Sequence, residues 1–155
     1  MNIQIELISA SELADESFNI VINDLKPIET YRVEMFLSDY YCINAPMLLA
    51  HDVLWKSAAT FVSDKNGIID ISQTPSCSGS YEDIATMGLF FNAKPLTNRK
   101  KKLPNSLSKI PLLDHFFVGI KIMQGNTVIA ERTFTRHYMS LQISHQDIYG
   151  KHFQV

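Results

Sequence analysis

Tyr31, Val33, Met35 and Leu37 alternate with Arg32, Glu34 and Ser38, a period of two that a helix cannot use and that a half-buried strand requires. The same signature recurs along the chain. Ile3, Ile5 and Leu7 alternate with Gln4 and Glu6. Phe18 to Ile22 forms a second strand candidate, ended by Asn23-Asp24 and by Pro27, which cannot donate to a sheet ladder. Trp55 to Val62 reads as a strand with Trp55, Ala59 and Phe61 on one face. Phe116, Val118, Ile120 and Ile122 alternate toward Gly125-Asn126, and Val128, Ala130 and Phe134 alternate away from it, which predicts a hairpin. Asn66-Gly67 tolerates the positive φ of a tight turn and is expected to join Trp55–Ser63 to Ile68–Ser72 as an antiparallel pair. Met139, Leu141 and Ile143 alternate with Ser140, Gln142 and Ser144 as a last strand. Seven to nine short strands with turns between them, and no long helical period, predict an all-β fold: an antiparallel sandwich of immunoglobulin-like type.

At 155 residues, with 46% hydrophobic composition, the chain fits a single domain over residues 1–155 with a normal core. No stretch repeats and no internal linker divides it. Two connections are irregular: Tyr40 to Asp52, with Asn44 and Pro46, and Leu96 to Pro111, a long loop carrying Arg99-Lys100-Lys101-Lys102. A net charge of −2 with 19% charged residues gives no electrostatic case for nucleic acid or for an anionic membrane. The two cysteines, Cys42 and Cys77, read as free thiols of a reducing compartment. No basic-then-apolar leader opens the chain and no apolar run approaches the about 20 residues of a membrane span, so the cytoplasm is the expected location.

Candidates for chemistry are few. An acyl-transfer nucleophile on a G-x-S-x-G or G-x-C-x-G turn is absent from the sequence. Cys77, in Ser76-Cys77-Ser78-Gly79, lacks the leading glycine and reads as a small loop or buried thiol. Ser80 reads as a turn residue bonding backbone, and Asp64 and Asp70 as carboxylates bonding turn amides. His51, His115, His137, His145 and His152 show no H-x-H or H-E-x-x-H spacing, so no metal site or cofactor is expected.

The stretch that fits no ordinary periodicity is Ser78 to Pro95: small residues, then a polar patch able to make one helical turn, then the apolar run Met87-Gly88-Leu89-Phe90-Phe91 closed by Pro95. Taken with Ser57-Ala58-Ala59-Thr60-Phe61-Val62-Ser63-Asp64, Gly67-Ile68-Ile69-Asp70, Gly79-Ser80-Tyr81 and Met87-Gly88-Leu89-Phe90, it resembles the N-terminal domain of the acyl-CoA thioesterase and bile acid-CoA:amino acid N-acyltransferase family. The resemblance implies the same sandwich. It also implies an α/β-hydrolase domain after residue 155 that supplies the nucleophile, acid and histidine, and acyl-CoA as substrate of the complete protein. This chain would then be a non-catalytic domain supporting the hydrolase domain and the mouth of its site. Two departures stand out: Phe91 stands where the family has a Trp-containing pair, and Gly150-Lys151-His152-Phe153-Gln154-Val155 resembles the family's G-x-x-F-x-P exit without its proline.

Two readings are open for each unusual segment. Tyr81, Met87, Gly88, Leu89, Phe90 and Phe91 can pack one end of the sandwich, with Gly88 permitting close backbone approach, or dock on the catalytic domain through an outward-facing part. On the second reading Phe90→Asp disturbs association more than the fold. Arg99, Lys100, Lys101 and Lys102 can be a solvated loop tip or contact an anion such as the phosphates of coenzyme A. For the whole chain the alternatives are a free-standing interaction module and an intrinsic hydrolase using Cys77 with a histidine.

Overall fold

Tyr31, Val33, Met35 and Leu37 are all buried on one face of a nine-residue strand, as their alternation requires. The structure, a computed structural model, describes residues 2–14, 16–38, 54–96 and 115–137. In chain order the elements are β1 (Gln4–Ser9), β2 (Phe18–Asn23), β3 (Thr30–Ser38), β4 (Trp55–Val62), β5 (Ile69–Asp70), β6 (Ser78–Gly79), α1 (Gly88–Phe91), β7 (Lys94–Pro95), β8 (His115–Gln124) and β9 (Thr127–His137). They form two antiparallel sheets. The smaller has the order β1-β2-β5 and the larger β6-β4-β3-β8-β9, with β7 also paired to β4. Ile5, Phe18, Ile20, Ile22 and Ile69 of the first sheet share one core with Val33, Met35, Leu37, Phe61, Phe116, Val118, Ile120 and Ile122 of the second. The antiparallel β-sandwich expected from the alternation is therefore present. Among the described residues no helix is long and apolar enough to cross a membrane.

The turn at Asn66-Gly67 forms, but the hairpin predicted from it does not. Asp64 Oδ1 accepts the amide hydrogens of Asn66 and Ile68 at 2.8 and 2.9 Å, and Gly67 has φ of +75°. Beyond the turn the two arms part. β4 pairs with β3, whereas Ile69 and Asp70 pair with Ile22 and Val21 of β2 in the other sheet. The turn is tied to the end of β2 by the Leu25 amide, which donates to the Gly67 carbonyl at 3.0 Å and prolongs the β2–β5 pairing. A Cβ at Gly67 would stand 2.0 Å from the Leu25 carbonyl oxygen, so glycine is required by the approach as well as by φ.

The second predicted hairpin forms as β8–β9, with Gln124 opposite Thr127 and a register shift at Ile122/Met123. Its outer strand departs from the simple pattern. Val128 is exposed and Ala130 and Phe134 are only partly covered, since among the described residues β9 is the edge strand of its sheet; the fully buried side chain of β9 is Arg136.

On the outer face of β3 the Glu34 carboxylate meets Arg32 Nε at 2.9 Å and Lys56 Nζ at 3.4 Å. Lys56 and Lys121 stand over the Phe36 ring at 5.4 and 4.9 Å. Long cationic side chains thus shield the one aromatic ring of that strand's outer face. The register of the strands defines two ends. Turns 24–29, 63–68 and 125–126 lie at one end; β2, β4 and β8 begin at the other, where α1 also packs.

The predicted strand at 139–143, the whole connection 40–52, residues 97–111 of the second connection, Cys42, His51, His145 and His152 lie outside the described residues.

Candidate functional site

The helical turn falls on the apolar run itself, Gly88–Phe91, and not on the polar patch before it. Residues 80–83 cannot make that turn because Ser76 and Asp83 bridge to each other through both backbone amides, with Asp83 at φ of +67°. One turn of helix has no cooperative stability of its own, so tertiary contacts must hold α1. The Ser57 hydroxyl, buried on β4, donates to the Leu89 carbonyl at 2.6 Å, and the Asn92 side-chain amide donates to the Gly88 carbonyl at 2.7 Å. The Phe18 amide donates to Met87 Sδ at 3.3 Å.

These anchors divide the candidate residues. Leu89, 2% exposed, belongs to the core, and Gly88 is buried. Phe90 is partly buried, edge-on to Phe18 at 5.8 Å and tilted against Phe116 at 6.2 Å. Phe91 is 75% exposed, with its ring edge-on to Phe90 at 5.7 Å. Tyr81 lies half-buried against Gly88 and Phe61, and burial pushes its phenol up to about 12. Its hydroxyl finds no hydrogen-bond partner among the described residues. The Phe90→Asp test proposed from the sequence would thus place a charge against Phe18 and Phe116, and the outward position is Phe91. In the sequence Ser57 stands only as the first residue of a family motif and Phe18 only as the start of a strand; neither carries a signal that α1 lands on it.

The residues considered for chemistry are placed apart. Cys77 is an exposed free thiol beside β6, whereas His115 and His137 face each other across β8 and β9 with ring centroids 6.1 Å apart. β4 and β3 separate β6 from β8, an interval of about 14 Å at ordinary strand spacing. Ser80 Oγ accepts the Ala58 amide hydrogen at 3.0 Å, tying the Gly79-Ser80 turn to β4. Asp70 Oδ1 accepts from Asn19, the Ser72 amide and the Ser72 hydroxyl at 2.7, 3.0 and 2.6 Å. Burial pushes the Asp70 carboxyl up, and those bonds outweigh it, leaving the pKa below its ordinary value. No group of three metal-ligating side chains is found among the described residues. Arg99, Lys100, Lys101 and Lys102 lie outside them.

The profile of the family described as the acyl-CoA thioester hydrolase/BAAT N-terminal region matches residues 15–149. Acyl-coenzyme A amino acid N-acyltransferase 2 of Mus musculus is 25% identical over 112 residues, covering 72% of this chain and 24% of the relative. Acyl-coenzyme A amino acid N-acyltransferase 1 of Mus musculus is 26% identical over 95 residues, covering 61% and 20%. The chain spans about a quarter or less of the length of these curated relatives.

Proposed function

The chain belongs to the acyl-CoA thioester hydrolase/BAAT N-terminal region family, and on that premise we propose that it is a non-catalytic domain of an acyl-CoA-processing protein. It supports a C-terminal α/β-hydrolase region that carries the nucleophile, and it borders the approach to that region's site. The sandwich is read as immunoglobulin-like: lettered in chain order, β1-β2-β5 facing β4-β3-β8-β9 corresponds to A-B-E facing C′-C-F-G. The cytoplasm is the proposed location, and acyl-CoA is the proposed substrate of the complete protein. Coenzyme A phosphates are the proposed contact of Arg99, Lys100, Lys101 and Lys102.

The observation that carries the reading is the division of the apolar run. Leu89 and Phe90 fix α1 to the core while Phe91 projects, the arrangement of a rigid aromatic anchor at an interface. The lysine-shielded outer face of β3 is a poorer candidate, because docking there would desolvate Lys56 and Lys121.

The test begins with the reading frame. Continuation past Val155 into an α/β pattern with G-x-S-x-G or G-x-C-x-G is expected, and a stop codon there would instead favour a free-standing interaction module. Acyl-CoA cleavage by residues 1–155 alone, abolished by alkylating Cys77, would overturn the non-catalytic assignment.

A further inference from the structure

The β1–β2 loop and α1 are far apart in sequence and share a support. Arg136, 1% exposed, sends its guanidinium beneath the loop. Nη1 donates to Ser9 Oγ and to the Ser11 carbonyl, both at 3.0 Å; Nη2 donates to the Leu13 carbonyl at 2.6 Å and the Glu16 carbonyl at 3.1 Å. Three of these acceptors are main-chain carbonyls of an irregular segment, groups that a loop cannot leave buried and unbonded. The loop's far side is pinned to the same strand, since the Ala14 amide donates to the His137 carbonyl and the His137 amide to the Glu12 carbonyl.

The same guanidinium lies 5.2 Å from the centre of the Phe18 ring. Phe18 meets Phe90 edge to face, and its amide donates to Met87 Sδ. A continuous path therefore runs from the loop carbonyls through Arg136 and Phe18 to the helical turn that presents Phe91. Both irregular segments sit at the end of the sandwich where β2 and β8 begin, and one buried cation braces them.

We infer that the β1–β2 loop and α1 form one docking face, with Arg136 as the positioning residue that sets the two segments relative to each other. This rests on the proposed function. The occupant is the catalytic region of the longer protein, argued from relatives four to five times the length of the matched segment and from Phe91 projecting at this end. The loop adds exposed Glu12 and partly exposed Glu16 at the same end of the sandwich as the apolar anchor, so the matching surface is an apolar pocket with basic residues near it.

The test is hydrogen exchange and calorimetry on the full-length protein. Arg136→Met keeps the aliphatic length and removes the donors and charge; at least a tenfold faster exchange is expected in both 11–16 and 88–92, with β3 and β8 still protected. Phe18→Leu keeps an apolar core side chain while removing the ring, and is expected to loosen 88–92 alone. Faster exchange in 11–16 with 88–92 unchanged in Arg136→Met, or no change at 88–92 in Phe18→Leu, overturns the shared support. For docking, Phe91→Ser and Glu12→Arg are each expected to split a single unfolding transition into two. A split with Phe91→Ser but not with Glu12→Arg removes the loop from the docking face and leaves the function standing. No split with either removes the proposed docking role itself.

Discussion

The Tyr81 ring occupies the space that a side chain at Gly88 would need: a Cβ built there falls 2.7 Å from two of the ring's carbons. A single helical turn is thereby pressed against an aromatic ring from the connection before it, and both are held on β4.

Gly88→Ala is expected to destabilise the fold by about 1–3 kcal/mol through overpacking, despite the better helix propensity of alanine. Denaturant melts of the single variant and of Gly88→Ala with Tyr81→Ala check this. If the clash with Tyr81 is the cause, the cost of Gly88→Ala shrinks when the ring is already gone. An equal cost in both backgrounds would refute it.

Tyr81 also governs behaviour in alkali. Its folded pKa, raised by burial to about 12 from 10.0, means that its contribution is complete below the ordinary phenol value and is lost as pH rises through it toward 12. Phenolate absorbance should show one of the six tyrosines ionising near 12, a step missing from Tyr81→Phe. Because the hydroxyl is buried without a partner among the described residues, Tyr81→Phe should be neutral or stabilising at neutral pH.

Neighbouring residues on α1 should respond in opposite ways. Leu89→Ala is expected to cost about 2–5 kcal/mol, since the side chain is core. In residues 1–155 alone, Phe91→Ser should shift stability by no more than about 0.5 kcal/mol, because there the ring is mostly in water. Equilibrium unfolding of the two variants of residues 1–155 decides it, and a large loss from Phe91→Ser there would return that residue to the core.

Gly67→Ala combines a positive φ with a Cβ placed 2.0 Å from the Leu25 carbonyl oxygen. A loss of about 1–3 kcal/mol or more is expected in thermal melts. A variant as stable as the parent would mean that the crossing between sheets does not need this backbone geometry.

Acid sensitivity should trace to Asp70 and Glu34. Burial raises the Glu34 carboxyl, while the hydrogen bond from Arg32 and the charge of Lys56 bring it below its ordinary value, as the partners of Asp70 do there. Depressed folded values give stability that is present above the ordinary carboxylate range and is lost as pH falls through it. Asp70→Asn should therefore be less stable than the parent at neutral pH, with the gap closing on acidification. Glu34→Gln should behave likewise with a smaller gap that salt reduces, because Arg32 and Lys56 are partly in water. Gaps that do not change with pH would exclude these carboxylates.

What the sequence determined by itself was local. Alternation at 31–37, 18–22 and 116–122 sets which side chains face inward, because a strand's period does not depend on its neighbours. The family motif was legible for the same reason, as a fixed order of short matches. Tertiary structure alone decided which sheet Ile69 and Asp70 join, since the Asn66-Gly67 turn fits either outcome until Leu25 bonds across it. It also decided that Leu89 is core while Phe91 is surface, a split that no period can assign to one helical turn. Arg136 is the sharpest case: a charged residue reads as solvent-facing, and its guanidinium is buried where carbonyls 120 to 125 residues away in sequence accept its hydrogen bonds.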